Sequence, residues 1–320
     1  MKACVKEAKG KIVVKEVDMP KRYEDDDVLI KVNKVGICGS DVHLWHLEDR
    51  NGLIMGHEFC GSVVDPGTSD FKKGERVVVI PKGPRGYAST PGICAPGGYA
   101  EYFMGAAKYL RRLPDTIDDD EANMIEPCGI AYKAAKTADI KLGDRILVTG
   151  AGIISLLTAA WAKAMGARYV AMTEVNDKRI DAAKRLSEAD EVFDARDPEI
   201  AEKLKEASRG GFDKILECTA SEVSVNLCLD LLKRAGKLVL VGVTYKPLAI
   251  NTLKVLMNEF KIEGIFGASV LFDKIIELLS YKLFDIKKYI TKEIGLEQIQ
   301  ESFEELDTGK SGNIKIVVTP

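Results

Sequence analysis

The sequence predicts an α/β protein in two parts, a small β unit followed by a parallel sheet covered by helices. Three observations carry this. Short β-branched segments, parted by turn residues, fill the first third of the chain. Beyond about residue 145, strand-like and helix-like segments alternate, which is the pattern of a parallel sheet buried on both faces. The 320 residues also exceed what one hydrophobic core usually holds, so two domains are expected.

Taken in order, Met1 to Val14 alternates apolar and polar residues and reads as a strand. Val28–Val35, Gly61–Val64 and Arg76–Ile80 are further short strands, separated by Asp65-Pro66-Gly67 and Lys73-Gly74. Together they suggest a closed or nearly closed β unit. Pro81–Gly98 is rich in Gly and Pro and reads as a loop over the surface. Arg145–Thr149 is an apolar strand, Ile153–Met165 a helix, and Tyr169–Thr173 a second strand ending at Glu174. Asp177–Leu186 is an amphipathic helix. Lys214–Glu217 and Lys237–Val241 are buried-looking strands with the helix Glu222–Leu232 between them. From about Phe272 two helical segments lead to a last strand, Asn313–Val318. The acid runs Glu24–Asp27 and Asp118–Glu121 read as solvated turns or a helix start.

Composition excludes several classes. Apolar residues at 46% and charged residues at 30% are ordinary for a globular protein. A net charge of −3, with Lys and Arg scattered among acids, gives no surface for nucleic acid. No apolar run is long enough to span a bilayer, and the N-terminus does not read as a signal peptide. Seven cysteines without a paired framework read as reduced thiols of a cytoplasmic protein, some open to metal binding.

Gly150-Ala151-Gly152 lies between a strand and a helix, and Glu174 closes the next strand about twenty residues on. Gly150 would allow the tight turn, and Gly152 would let a pyrophosphate reach backbone N–H groups at the positive helix end. Glu174 would accept hydrogen bonds from the ribose hydroxyls and repel a 2′-phosphate, which favours NAD over NADP. The third small position is Ser155 rather than glycine. Ile153, Ile154 and Val241 complete the expected cofactor contacts.

The chain has only three histidines. His43 and His46 sit in the segment 36–46, GICGSDVHLWH, and His57 sits in Gly56-His57-Glu58. Cys38, His57 and a carboxylate would make a mixed zinc site with one position open. On residue type alone, Cys38 reads equally as a buried small apolar residue and His57 as a satisfied core histidine.

The segment GICGSDVHLW with Gly56-His57-Glu58 resembles the zinc-binding region of medium-chain dehydrogenases/reductases, in wording that of the sorbitol and xylitol dehydrogenase branch. Gly97-Gly-Tyr-Ala-Glu-Tyr102, Ile125-Glu-Pro127, Glu217-Cys-Thr219 and Gly236–Gly242 come in the family's order. The resemblance implies a GroES-like β-barrel catalytic domain over residues 1–131 and 268–320. A Rossmann domain would be inserted over 132–267, with the active site in the cleft between the two. It implies Cys38 and His57 as zinc ligands, Glu126 as the carboxylate ligand, and Glu58 beside the metal as a further ligand or catalytic group. Asp41 would orient the ligand histidine, Ser40 and His43 would relay the proton, and Arg179 would contact the adenosine ribose.

Pro81–Gly98 holds only Cys94, where many relatives carry four cysteines for a structural zinc, so one catalytic zinc is expected. Cys128, two residues after Glu126, reads as a buried thiol rather than a ligand. Trp45 reads as a pocket wall or as ordinary packing, and His46 as a solvated surface residue. The expected activity is reversible hydride transfer from a secondary alcohol, of the polyol kind, to NAD, in a homodimer or homotetramer paired along Lys261–Ser269. A catalytically silent nucleotide-binding relative and a zinc-free quinone or enone reductase are the competing readings.

Overall fold

The computed structural model describes residues 1–83, 89–309 and 311–320. Contacts divide the chain into two units, Met1–Glu126 with Ser269–Pro320, and Pro127–Ala268. The sequence boundaries, 131/132 and 267/268, lie a few residues away, because one helix, Ile125–Ala138, runs across the first crossing point.

The first unit opens with β1 (Lys2–Ala8) and β2 (Lys11–Glu16), an antiparallel pair. The single strand expected over Met1 to Val14 is thus a hairpin, turned at Gly10 with φ of 70°. Next come β3 (Asp27–Gly36), α1 (Gly39–Trp45), β4 (Glu58–Asp65), β5 (Arg76–Val79), β6 (Tyr102–Ala106), β7 (Leu110–Arg112) and α2 (Asp119–Ala122). After α3 (Ile125–Ala138), the second unit runs β8 (Arg145–Thr149), α4 (Ile153–Ala164), β9 (Tyr169–Glu174), α5 (Asp177–Leu186), β10 (Glu191–Asp194), α6 (Ile200–Ala207), β11 (Phe212–Glu217), α7 (Glu222–Leu231), β12 (Leu232–Leu240), α8 (Thr252–Met257) and β13 (Lys261–Gly264). The chain then returns to the first unit with α9 (Phe272–Ser280), β14 (Ile290–Gly295), α10 (Ile299–Asp307) and β15 (Lys315–Thr319).

In the first unit β14, β15, β3, β4, β5 and β7 lie side by side, and β6 also pairs with β3. This is the GroES-like part. Its core gathers inward-facing residues of alternating strands, among them Val28, Ile30, Val32, Phe59, Val77, Val79 and Val318. Strand register sets Gly36, at the end of β3, between Glu58 on one side and Val317 on the other. Three distant stretches of sequence meet there.

The second unit is a parallel sheet in the order β10-β9-β8-β11-β12-β13, the doubly wound Rossmann arrangement. Its order reverses next to β8, so the loop after β8 lies where such sheets take ligands. Strand β8 is apolar and fully buried from Ile146 to Val148, as a central strand must be.

Two loop expectations change. Asp27 is not a solvated turn residue: it is 6% exposed, and its carboxylate accepts the Tyr23 and Glu24 N–H groups at 3.1 Å, capping the turn that enters β3. Pro81–Gly98 does not simply ride over the surface. Residues 84–88 lie outside the described residues, but Ser89, Thr90, Pro91 and Gly92 are buried. Gly97 N–H reaches the Ile54 carbonyl and Gly98 N–H the Gly56 carbonyl, both at 2.8 Å. A Cβ on Gly92 or Gly97 would fall 2.3 or 2.2 Å from the Gly56 oxygen, so glycine there is what lets the loop close on the 54–57 segment. Asp118 does start a helix, accepting the Glu121 N–H at 2.9 Å as N-cap of α2.

Candidate metal and cofactor sites

Cys38 stands at the N-cap of α1, a helix of seven residues. Its backbone N–H donates to Asp41 Oδ2 at 3.0 Å, so the third helical residue folds back over the cap. That bond turns the other Asp41 oxygen, Oδ1, toward His57 Nδ1, 3.3 Å away. Neither of those two atoms has another hydrogen-bond partner. Asp41 Oδ2 also accepts the Tyr99 hydroxyl at 2.8 Å. Asp41 is fully buried, and burial alone would raise its pKa; the nearby His57 outweighs this and holds it below the ordinary aspartate value. Burial likewise works to lower His57, but Asp41 and Cys38 draw it well above the ordinary histidine value. The pocket therefore favours a positive charge at the His57 ring.

His57 and Glu58 enter where the chain joins β4. The Sγ of Cys38, a ring nitrogen of His57 and a carboxylate oxygen of Glu58 lie within 4.8 Å of one another. Cys38 is half-buried; His57 and Glu58 are buried. With His57 Nδ1 facing Asp41, Nε2 is the ring nitrogen free to ligate. Glu58 Oε1 is buried and has no partner, whereas Glu58 Oε2 meets the Lys315 ammonium. One thiol, one imidazole and one carboxylate oxygen left open are the donor set of a catalytic zinc site, and they fit that metal.

Glu126 is not part of this three-donor group. It lies at the first turn of α3, half-buried, and its carboxyl is pushed up to about 7, first by burial and then by the Glu58 charge. Its charge state is therefore linked to the cluster through Glu58. Cys128 is fully buried, and burial pushes its thiol up to about 12. Ser40 Oγ lies 3.5 Å from His57 Nε2, and His43, three residues along α1, is exposed. Trp45 is 5% exposed and packs edge-on against Phe303 with centroids 5.9 Å apart; it belongs to the core. His46 is exposed, and its Nε2 lies 2.6 Å from Asp307, so it is a paired surface residue rather than a merely solvated one.

In the second unit, Gly150 turns with φ of 80°. Gly152 is the extended N-cap of α4 and leaves the first-turn N–H groups without intrahelical acceptors. Ser155, in the third small position, is buried and donates to the Thr149 carbonyl at 3.1 Å. A Cβ on Gly150 would come within 3.2 Å of that hydroxyl, so the serine stitches the glycine turn to the strand before it. Glu174 ends β9 beside this turn. Its Oε2 accepts the Ala151 N–H at 2.8 Å, and its Oε1 accepts those of Val175 at 2.7 Å and Asn176 at 3.0 Å. The acid therefore shapes the glycine loop as well as facing it. Arg179 is half-buried with Nε lacking a partner. Ile153 and Ile154 are half-buried in the first turn of α4, and Val241 donates its N–H to the Glu217 carbonyl at 2.8 Å.

Sequence reading missed Lys315. It is 1% exposed, and its ammonium contacts Glu58 Oε2 and the Ile37 carbonyl, the latter at 3.0 Å. A Cβ on Gly36 would lie 2.5 Å from Lys315 Cε and 2.7 Å from Glu58 Oε2, so only glycine at 36 leaves room for the pair. The signal was present: a lysine within the otherwise apolar run Ile314–Val318.

Known proteins bear on this arrangement. Residues 24–115 match the alcohol dehydrogenase GroES-like domain, and residues 154–281 match the zinc-binding dehydrogenase domain. Sorbitol dehydrogenase of Gallus gallus is 32% identical, over 92% of this chain and 90% of that protein. L-threonine 3-dehydrogenase of Anaeromyxobacter sp. is 30% identical over 98% of each. The crystal structure of 2R,3R-butanediol dehydrogenase from Bacillus subtilis superposes with a TM-score of 0.89, covering 100% of this chain and 99% of that one at 28% identity. The class is that of alcohol oxidoreductases built from a GroES-like and a Rossmann part. Within it, the chain belongs to the zinc-type medium-chain dehydrogenase family, which includes the polyol branch and implies zinc and NAD(P) as cofactors. No helix among the described residues is long and apolar enough to cross a membrane.

Proposed function

We propose that this protein is a zinc-dependent, NAD-linked dehydrogenase that interconverts a secondary alcohol, of the polyol kind, and its ketone. The observation that carries the reading is the buried trio of Cys38, His57 and Glu58 donors within 4.8 Å, with Glu58 Oε1 left without a partner. Sorbitol, threonine and 2,3-butanediol, the substrates named for the relatives, share a secondary hydroxyl beside a second heteroatom, which supports that substrate class.

Cys38, His57 and Glu58 would hold the zinc, and Glu126 would join them directly or through water. When bound, the zinc would supply Lewis acidity toward the alcohol oxygen and the nicotinamide cofactor would supply the hydride acceptor. The protein's own part is position and proton handling. Asp41 fixes the His57 tautomer from behind. Ser40 Oγ, 3.5 Å from His57 Nε2, would accept the substrate hydroxyl proton while passing on its own, and the exposed His43 would deliver a proton to solvent. In the other unit the first turn of α4 would receive the pyrophosphate, with Ile153, Ile154 and Val241 against the cofactor. Glu174 would repel a 2′-phosphate, and the unpartnered Arg179 Nε would reach the ribose region.

We further propose a homodimer or homotetramer formed along β13. That strand ends the sheet, paired only with β12, and Leu253, Leu256, Met257 and Phe266 nearby are each more than 60% exposed. A cytoplasmic setting is supported by seven cysteines that are all free. The test is NADH absorbance over a panel of sugar alcohols, vicinal diols, amino alcohols and simple alcohols, before and after metal removal. Turnover on a vicinal polyol that is lost with the metal and restored by zinc is expected. Turnover untouched by chelation points to a zinc-free reductase, and no turnover on any alcohol to a silent nucleotide-binding relative.

A further inference from the structure

Tyr99 is buried completely, and its ring can lie where it does only because residue 56 is glycine. A Cβ on Gly56 would fall 2.8 Å from Tyr99 Cδ1. Gly56 has φ of 88°, a conformation side chains rarely adopt. The tyrosine backbone is pinned as well: its N–H donates to the Met55 carbonyl at 3.0 Å, and its carbonyl accepts the Cys4 N–H at 2.8 Å. The ring edge meets Phe303 at 6.2 Å between centroids. Nothing in this packing needs the hydroxyl. A buried phenol oxygen must nevertheless find a partner, and Tyr99 finds Asp41 Oδ2 at 2.8 Å.

Asp41 Oδ2 thus takes two donors, the Cys38 N–H and the Tyr99 hydroxyl, from opposite segments of chain. With that oxygen saturated, the carboxylate cannot rotate without breaking a bond to an ionised group, the stronger kind of hydrogen bond. Oδ1 is left for His57 Nδ1, which has no other partner. The Cys38 N–H belongs to the helix cap and would be there with any residue at 99, so among the described residues the Tyr99 hydroxyl is the one side-chain donor that Asp41 receives from outside the cluster.

We propose that Tyr99 is a positioning residue for the metal centre, its hydroxyl locking Asp41 so that His57 presents Nε2 in one orientation and tautomer to the metal. This rests on the zinc reading above. Such a residue touches neither metal nor substrate; its effect travels through Asp41.

The test is Tyr99→Phe, which keeps the ring and its packing and removes one oxygen. Metal-free wild-type protein, Tyr99→Phe, Asp41→Ala and the double variant are titrated with Co2+ against a chelator of known affinity, and the visible cobalt bands are recorded. Tyr99→Phe is expected to bind Co2+ roughly tenfold more weakly, the low end for partners behind a metal ligand, with altered visible bands. In the Asp41→Ala background, where the Tyr99 hydroxyl has no acceptor at position 41, the same change is expected to cost nothing further. A purely structural tyrosine would lower affinity equally in both backgrounds, and that result overturns the proposal, as does unchanged or tighter binding in Tyr99→Phe alone. Wild-type protein that takes no cobalt at all overturns the metal reading and this proposal with it.

Discussion

Replacing Lys315 with methionine tests how much of the metal unit's stability depends on one ion pair. The ammonium and the Glu58 carboxylate are both essentially unexposed, and three chain segments converge on them: Gly36 and Ile37 after β3, Glu58 opening β4, and Lys315 opening β15. Methionine fills a similar volume, so the main loss is electrostatic. Glu58 Oε1 already lacks a partner, and without Lys315 the second oxygen also faces protein with no donor. Removing one partner of a buried pair typically costs about 3–5 kcal/mol, because the other charge is stranded. At roughly 2–4 °C per kcal/mol for a domain of this size, the metal-free variant should melt about 6–20 °C below wild type. Adding Glu58→Gln to Lys315→Met removes the stranded charge and should recover most of that loss. Scanning calorimetry on metal-free protein reads all of these.

The pH dependence of this pair is set by its sign. Burial works to lower Lys315, but Glu58 outweighs it and raises the pKa above the ordinary lysine value. The stabilisation is therefore fully present below about pH 10 and is lost only as pH rises through the folded value, so the difference between variant and wild type should be flat from roughly pH 6 to 9. A Lys315→Met protein that melts within about 2 °C of wild type, or a double variant less stable than Lys315→Met, would refute the reasoning.

Metal-replete protein should hold close to one zinc per chain by elemental analysis; a reproducible value near two would mean that Pro81–Gly98 takes part in a second site. Glu126→Ala should lower turnover roughly tenfold to a hundredfold, whereas Cys128→Ser should keep metal and turnover nearly intact, and X-ray absorption should count one sulfur ligand rather than two. Because burial raises the Glu126 carboxyl to about 7, the metal-free fold should lose stability as pH rises from about 4.5 to 7, and Glu126→Gln should flatten that slope in urea titrations. NAD should be preferred over NADP in kcat/KM, with Glu174→Ala narrowing the preference. The same change should lower the melting temperature, since three backbone N–H groups lose their acceptor.

Local chemistry is what the amino-acid sequence determined unaided. Alternation of strand and helix after Arg145 gives a parallel sheet, because a crossover of that length returns the chain in the same direction. Gly150 marks a turn only glycine makes easily, with Gly152 opening the helix after it, and Cys38, His57 and Glu58 are donor types whose wording places them in a zinc family. The hairpin at Gly10, the buried Asp27 and the inward-packed stretch from Ser89 were not legible, since each depends on which distant segment covers it. The same holds for the carboxylates. Sequence wording put both Glu58 and Glu126 at the metal, but only the tertiary structure shows their surroundings: strand register carries Glu58 to the end of β3 beside Gly36 and into the three-donor group, while Glu126 lies in the first turn of a separate helix. Lys315 and the Tyr99 hydroxyl lie far along the chain from the residues they serve, so their roles required the tertiary structure. A buried charge or hydroxyl takes its meaning from the partner that satisfies it, and folding alone decides which partner is within reach.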